Sequence, residues 1–260
     1  GDRYEGQWKN GKQSGQGIII KKNGVTYEGE WKNGFSNGEG ILNGLYGIYK
    51  GTTLRGKKHG YGVLILNNGD SYEGEWKNGD KNGQGIKISK NEGRYEGEWK
   101  NDKYDGYGFF ESSLGGSYKG KLKDGLPHGQ GLWILPDGGI MKGNFKFSNL
   151  HGQGYITERD GSSYQGQFID GTRHGQGIEL SINGDKYNGE WKSGYKDGLG
   201  IKTSSDGWRH EGYWKKGKTN GEGITTWKNG DGSRYEGNYV DGLRSGQGHY
   251  LWTDGDSYVG

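Results

Sequence analysis

Along residues 72–77, Tyr-Glu-Gly-Glu-Trp-Lys, apolar or small residues alternate with charged ones at a period of two. Such alternation places Tyr72, Gly74 and Trp76 on one face of an extended strand and Glu73, Glu75 and Lys77 on the other. Asn78-Gly79 follows, a pair that tolerates positive φ and marks a tight hairpin turn. Residues 84–89 alternate again, with Ile86 and Ile88 on one face and Gly85 and Lys87 on the other. A second turn signal separates one pair of strands from the next, as at Asn68-Gly69, Asp137-Gly138, Asp160-Gly161, Asn183-Gly184 and Asp254-Gly255. Strand, turn, strand, turn predicts an antiparallel β-meander.

The pattern repeats along the whole chain. The glycine two residues after each tyrosine-like position falls at Gly6, Gly29, Gly51, Gly74, Gly97, Gly120, Gly143, Gly166, Gly189, Gly212, Gly237 and Gly260, in steps of 23 residues except one of 22 and one of 25. A Gly-x-Gly begins nine residues after each of these except the last, from Gly15/Gly17 to Gly246/Gly248. The expectation is an all-β, elongated, twisted single-layer meander of about eleven 23-residue hairpins and a partial one, a continuous array over residues 1–260. A glycine inside a strand normally weakens it, so twelve at one position call for close approach: bare backbone on which a neighbouring Tyr or Trp ring lies.

Composition sharpens this picture. Glycine is 59 of 260 residues, yet the chain holds 10 tryptophans and 19 tyrosines, unlike a disordered linker. Lys plus Arg total 35 against 32 Asp plus Glu, interspersed, so no nucleic-acid partner is expected. With no cysteine, neither disulfides nor thiolate metal sites can form. No apolar run approaches the roughly 20 residues of a membrane-spanning helix, and no signal-peptide pattern is present, so the expectation is an intracellular chain.

The stretch YEGEWKNGDKNGQGIKI (72–88), followed by a turn and another YEGEW, resembles the MORN (membrane occupation and recognition nexus) repeat, and the match covers essentially the whole chain. The resemblance implies a β-hairpin array with an aromatic-lined groove, a non-catalytic scaffold for protein partners in cytoskeletal, ciliary or membrane-contact assemblies. The groove would be lined by Tyr27, Trp31, Tyr72, Trp76, Tyr95, Trp99, Tyr187 and Trp191, rigid rings suited to an extended peptide or a helix. Localisation to cytoskeleton or cilium follows from the same resemblance.

Candidate chemistry is sparse. His128, His151 and His174 recur 23 residues apart, with His59 in the same slot. Equivalent positions in adjacent repeats lie two strands apart, roughly 9–10 Å, too far for ligands that bind zinc at about 2.0–2.1 Å; no metal or other cofactor is expected. Glu73 and Glu75 share a face, but that face recurs down the array and reads as solvated rather than catalytic. The Gly-x-Gly pairs lack the Lys-Ser/Thr and helix of a phosphate loop. Nothing here argues for an enzyme.

More information lies where the repeat degenerates. Over 109–150, YEGEW becomes YKGKL (118–122) and MKGNF (141–145), and both prolines, Pro127 and Pro136, fall there. Two readings stand: drift with local compensation, or a partner-specific patch formed by Leu122, Leu126, Leu135, Ile140, Phe145, Phe147 and Leu150. A smaller apolar departure at 41–54 coincides with the 22-residue step. The start at GDRYEG and the end at DGDSYVG share nearly one phase of the repeat, so the chain reads as a piece of a longer one whose end strands are open to end-to-end or self-association. The rival functions are a peripheral module for anionic phospholipid, which needs clustered Lys/Arg, and the regulatory arm of a larger enzyme.

Overall fold

The computed structural model describes residues 1–228 and 232–260. Among these the chain is all-β, an open antiparallel meander of 23 strands from Arg3–Lys9 to Ser257–Val259. It divides into two compact units, Gly1–His128 and Gly129–Gly260, each built from the same hairpin.

The hairpin of Ser71–Lys77 and Asp80–Ser89 shows the local physics. Asn78 and Gly79 both take positive φ, 56° and 105°, the left-handed pair of a type I′ turn whose twist matches that of the strands. The second strand therefore begins directly after the turn, with Lys77 opposite Asp80, and is longer than the expected 84–89. Trp76 faces Lys81, but the next aligned pair is Gly74 and Gly85, so Asn82, Gly83 and Gln84 stand against Glu75 alone. This bulge needs Gly83 at φ 62°, and the Glu75 carboxylate closes it by accepting the Gln84 N–H at 2.8 Å. Glu98 serves the Tyr107 N–H in the same way, also at 2.8 Å. The two glycines of each Gly-x-Gly thus have separate tasks, the first in the bulge and the second in the sheet.

The second glycine pairs with the anchor glycine on both sides. In the first unit an unbroken file crosses the sheet through Gly51, Gly62, Gly74, Gly85, Gly97 and Gly108. In the second it runs from Gly131 and Gly143 to Gly237 and Gly248. The tyrosine rings lie on this file: a Cβ added to Gly85 would meet the Tyr72 ring at 2.4–2.6 Å, and one on Gly108 the Tyr95 ring at 2.4–2.7 Å. Each phenol then donates to the carbonyl three residues on, as Tyr72 Oη does to Glu75 at 2.9 Å.

Successive repeats interlock through the same residues. Trp99 packs edge-on against Tyr95 of its own repeat, at 5.2 Å, and against Tyr72 of the previous one, at 5.1 Å. Its indole Nε1–H donates to the Gly85 carbonyl at 3.1 Å. The turns are stapled as well, Gly79 N–H donating to the Lys58 carbonyl at 2.9 Å and Lys90 N–H to the Asp70 carboxylate at 3.2 Å. The second class of turn is an Asx turn in which the glycine alone has positive φ: Asn68 Oδ1 accepts from Asp70 N–H at 3.0 Å while Gly69 sits at 88°.

The degenerate hairpin Ile140–Lys146/Asn149–Thr157 keeps the register, with Gly143 opposite Gly154. Met141 stands where tyrosine stands elsewhere, and Leu150 and the Phe168 ring cover the glycines in place of a phenol. A Cβ added to either glycine would lie 3.2–3.3 Å from Leu150, and one on Gly154 would lie 3.0 Å from Phe168. The type I′ turn of this hairpin, however, is Phe147-Ser148, at φ 48° and 70°, two residues poorly suited to the left-handed region. Ser148→Gly should therefore stabilise the protein by about 0.5–1 kcal/mol, measured as a rise in urea midpoint at unchanged slope; Gly79→Ala should shift the midpoint the other way.

Candidate functional site

The sheet has two unlike faces. A two-residue turn preserves parity, so the face of Tyr72, Gly74 and Trp76 also carries Lys81, Gly85 and Lys87, while Glu73 pairs with Ile86 and Ser71 with Ile88 on the other. The aromatic stripe and the aliphatic stripe therefore lie back to back.

On the aromatic face the eight residues expected to line a groove, Tyr27, Trp31, Tyr72, Trp76, Tyr95, Trp99, Tyr187 and Trp191, are all buried, from 1% exposed at Tyr95 to 8% at Trp31. They cover one another, and cations close over several of them. Lys58 Nζ lies 4.4 Å from the Trp76 ring centroid, Lys81 Nζ 5.3 Å from Trp99, and the Arg173 guanidinium 5.3 Å from Trp191. Burial pushes the Tyr49 and Tyr164 phenols up to about 12, keeping them protonated donors. It also lowers Lys58, with the Lys81 charge adding to the effect.

The residues singled out in 109–150 separate into three groups. Leu122, Phe145 and Leu150 lie inside the repeats' own core, because the first two occupy the tryptophan position and Leu150 covers the glycines. Leu135 and Ile140 are partly covered, and Leu126 and Phe147 are exposed. The aligned histidines do not converge: His151 Nδ1 contacts Asp170 at 3.2 Å, and among the described residues no group of three or more His, Asp or Glu side chains could hold a metal ion.

The opposite face carries what the sequence reading missed. Its exposed large side chains include Ile20, Ile41, Tyr61, Ile65, Ile88 and Tyr107 in the first unit. In the second they include Tyr155, Ile178, Leu180, Leu199 and Tyr213. At two points in the first unit the row runs between carboxylates, Ile86 between Glu73 and Glu96 and Ile18 between Glu5 and Glu28, and the Tyr61 hydroxyl donates to Glu73 at 2.6 Å, whereas Ile41 and Val63 flank Lys50. The 23-residue recurrence of an aliphatic residue immediately after the Gly-x-Gly, combined with turn parity, was the available signal.

One tyrosine position holds a histidine. His210 is buried, its Nδ1 2.8 Å from Thr225 Oγ1, which lies 2.6 Å from the Tyr239 hydroxyl. Its Nε2 is buried without a hydrogen-bond partner among the described residues, and burial lowers its pKa from 6.5 to about 4. Lys202, directly across the ladder, is paired with Asp185 at 3.1 Å.

Comparison with known proteins places this geometry. The MORN repeat profile matches residues 4–26, 27–43, 49–71, 72–94, 95–113, 118–140, 164–186, 187–209, 210–232 and 235–257. The longest unmatched interval, 141–163, contains the Met141 hairpin, which nevertheless keeps the glycine pairing. No curated protein matches the sequence. Among solved structures, the chain is similar to the TCP domain of SAS-4 (dCPAP) of Drosophila melanogaster in complex with a proline-rich motif of Ana2 (dSTIL), at 12% identity and TM-score 0.38, covering 59% of this chain and 83% of that one. A mutant TCP10 domain of Danio rerio CPAP aligns at 11% identity and TM-score 0.36, over 93% of this chain and 96% of that one. Virginiamycin B lyase from Staphylococcus aureus aligns at 11% identity and TM-score 0.17, over 100% and 88%. None of these likenesses carries an argument about function.

His210 generates a pH prediction. Its folded pKa lies below the unfolded value, so the unfolded chain takes up the proton first as pH falls. Stability should decline between about pH 6.5 and about 4, with a slope of up to about 1.4 kcal/mol per pH unit from this group. Urea melts of wild type and His210→Tyr at pH 7, 5.5 and 4.5 should diverge as pH falls, the variant losing less. Parallel curves would remove His210 from the account.

Proposed function

The chain belongs to the MORN repeat family, and from that premise we propose that it is a non-catalytic scaffold in a cytoskeletal or ciliary assembly, docking protein partners on the face opposite its aromatic core. The observation that supports this reading is the division of the two faces. Tyrosine and tryptophan hold the repeats together and are buried, whereas the aliphatic and tyrosine row opposite them is exposed and recurs from hairpin to hairpin.

The partner's chemistry follows from the row's surroundings. Around Ile86 and Ile88 the face presents Glu73, Glu75, Glu96 and Glu98, with Arg94 paired to Glu96. A segment with apolar anchors flanked by lysine or arginine fits this surface, burying aliphatic area at about 25 cal/mol per Å2 and gaining rate and specificity from its charge. Carboxylates beside the row oppose an anionic membrane surface.

The test uses the full chain as crosslinking bait in extracts of its source cell, beside an Ile65→Ser/Ile88→Ser variant. Both positions are about half exposed, so the variant should lose about 2 kcal/mol at most and still melt in one cooperative transition. Crosslinks to a defined protein at Lys50, Lys77 or Lys100, reduced at least tenfold in the variant, are expected. Unchanged capture by the variant, or salt-sensitive sedimentation with phosphatidylserine vesicles in place of protein capture, would overturn the reading.

A further inference from the structure

The third repeat breaks the ring ladder at one point. In the regular repeats a core tyrosine is clamped by two rings: Tyr72 by Trp76 and Trp99, Tyr187 by Trp191 and Trp214, Tyr164 by Phe168 and Trp191. Thr53 occupies the tryptophan position of the third repeat, so Tyr27 retains only Trp31 and Tyr49 only Trp76 as edge-on partners among the described residues. Thr53 partly compensates through polar contacts, its hydroxyl 3.2 Å from Tyr27 Oη and 3.2 Å from the Gly38 carbonyl oxygen.

The residues that cover the rings are also small here. Trp76 is faced by Lys81, Trp191 by Lys196 and Phe168 by Arg173, whereas Trp31 is faced by Ser36. Beside these small residues lies a cleft of about 550 Å3 whose walls include Tyr27, Trp31, Leu42, Thr53, Lys57 and Lys58, with Tyr27 and Thr53 at its floor only 4% exposed. Its lining contains three lysines, the third being Lys21, and no carboxylate. Lys58 makes no ion pair among the described residues; its ammonium lies over the Trp76 ring at 4.4 Å and feels both the Lys81 charge and, opposing it, the Asp102 carboxylate.

We propose that this cleft is a receptor for the aromatic ring of a partner segment that carries a carboxylate beside that ring. The ring would lie in the cleft against Trp31 and Leu42, and the carboxylate would meet Lys58, on the same face of the sheet as Thr53. Such a site is apolar at its base and cationic at its rim, which selects an acidic aromatic motif over an aliphatic or basic one. It lies on the aromatic face, away from the exposed row proposed for docking, so the two proposals stand or fall separately.

The test is an NMR titration of the full chain with N-acetyltryptophan, which carries indole and carboxylate, and with N-acetyltryptophanamide and N-acetylleucine. Saturable shifts of the Trp31 indole N–H and the Thr53 amide are expected, with N-acetyltryptophan binding at least threefold more tightly than its amide and N-acetylleucine weaker still. Thr53→Trp should supply the missing ring and abolish the shifts. Ser36→Lys closes the cleft without touching Thr53 and should weaken binding at least tenfold, which keeps the test decisive if Thr53→Trp does not fold. Lys58→Gln should erase the preference for the carboxylate. Shifts that fail to saturate, that centre on Trp76 or Trp99, or that survive Ser36→Lys would overturn the proposal.

Discussion

Everything in this sheet depends on bare backbone at one register of every strand. A tyrosine ring can lie flat on a neighbouring strand only where no Cβ stands, and the file of paired glycines provides that surface hairpin after hairpin. With its rings bedded on glycine, the sheet forms a core within one layer: tyrosine covers backbone, tryptophan wedges between tyrosines of successive repeats, and the indole N–H finds a carbonyl of that same file. The arrangement consumes the aromatic face and leaves the other face available. The separation between a buried face that holds the fold and an exposed face opposite it follows from that single constraint.

The irregular repeats show which parts of the pattern are interchangeable. Where Met141 stands for tyrosine, Leu150 and Phe168 take over the cover and the glycine register survives. Where His210 stands for tyrosine, a hydrogen bond to Thr225 replaces the phenol's bond to its own strand, at the cost of a buried imidazole nitrogen with no partner among the described residues. Where Thr53 stands for tryptophan, its hydroxyl meets Tyr27 and the Gly38 carbonyl in place of a ring, and a cleft opens beside it. Substitutions covered from a neighbouring position read as drift, whereas the one with a cleft beside it is the natural place to look for recognition.

Much of this was legible from the residues. The alternation in YEGEWK, the Asn-Gly turns and the 23-residue period specify the meander, and glycine at twelve aligned positions pointed to rings lying on backbone. What spacing alone concealed was the bulge, because three residues set against one leaves parity unchanged and so leaves no mark on the alternation. The second glutamate of the motif, which closes that bulge, consequently looked like mere surface charge. The candidate partner residues were harder still. Leu122 and Phe145 depart from the consensus in the sequence, but departure does not distinguish a core substitution from a contact surface, and only burial separates them from Leu126 and Phe147. The exposed row containing Ile65 and Ile88 escapes notice because isoleucine in a strand reads as core until the partner face is known to be aromatic.

The measurement that bears most directly on the central claim is a double-mutant cycle between ring and glycine. Gly85→Ala, measured by urea unfolding, should cost about 1–3 kcal/mol in the wild-type background through overpacking against Tyr72. In a Tyr72→Met background, which removes the ring as residue 141 does naturally, the same substitution should cost less by at least about 1 kcal/mol. An equal cost in both backgrounds would mean that the glycine file serves backbone conformation alone, and that the tyrosine rings do not depend on it.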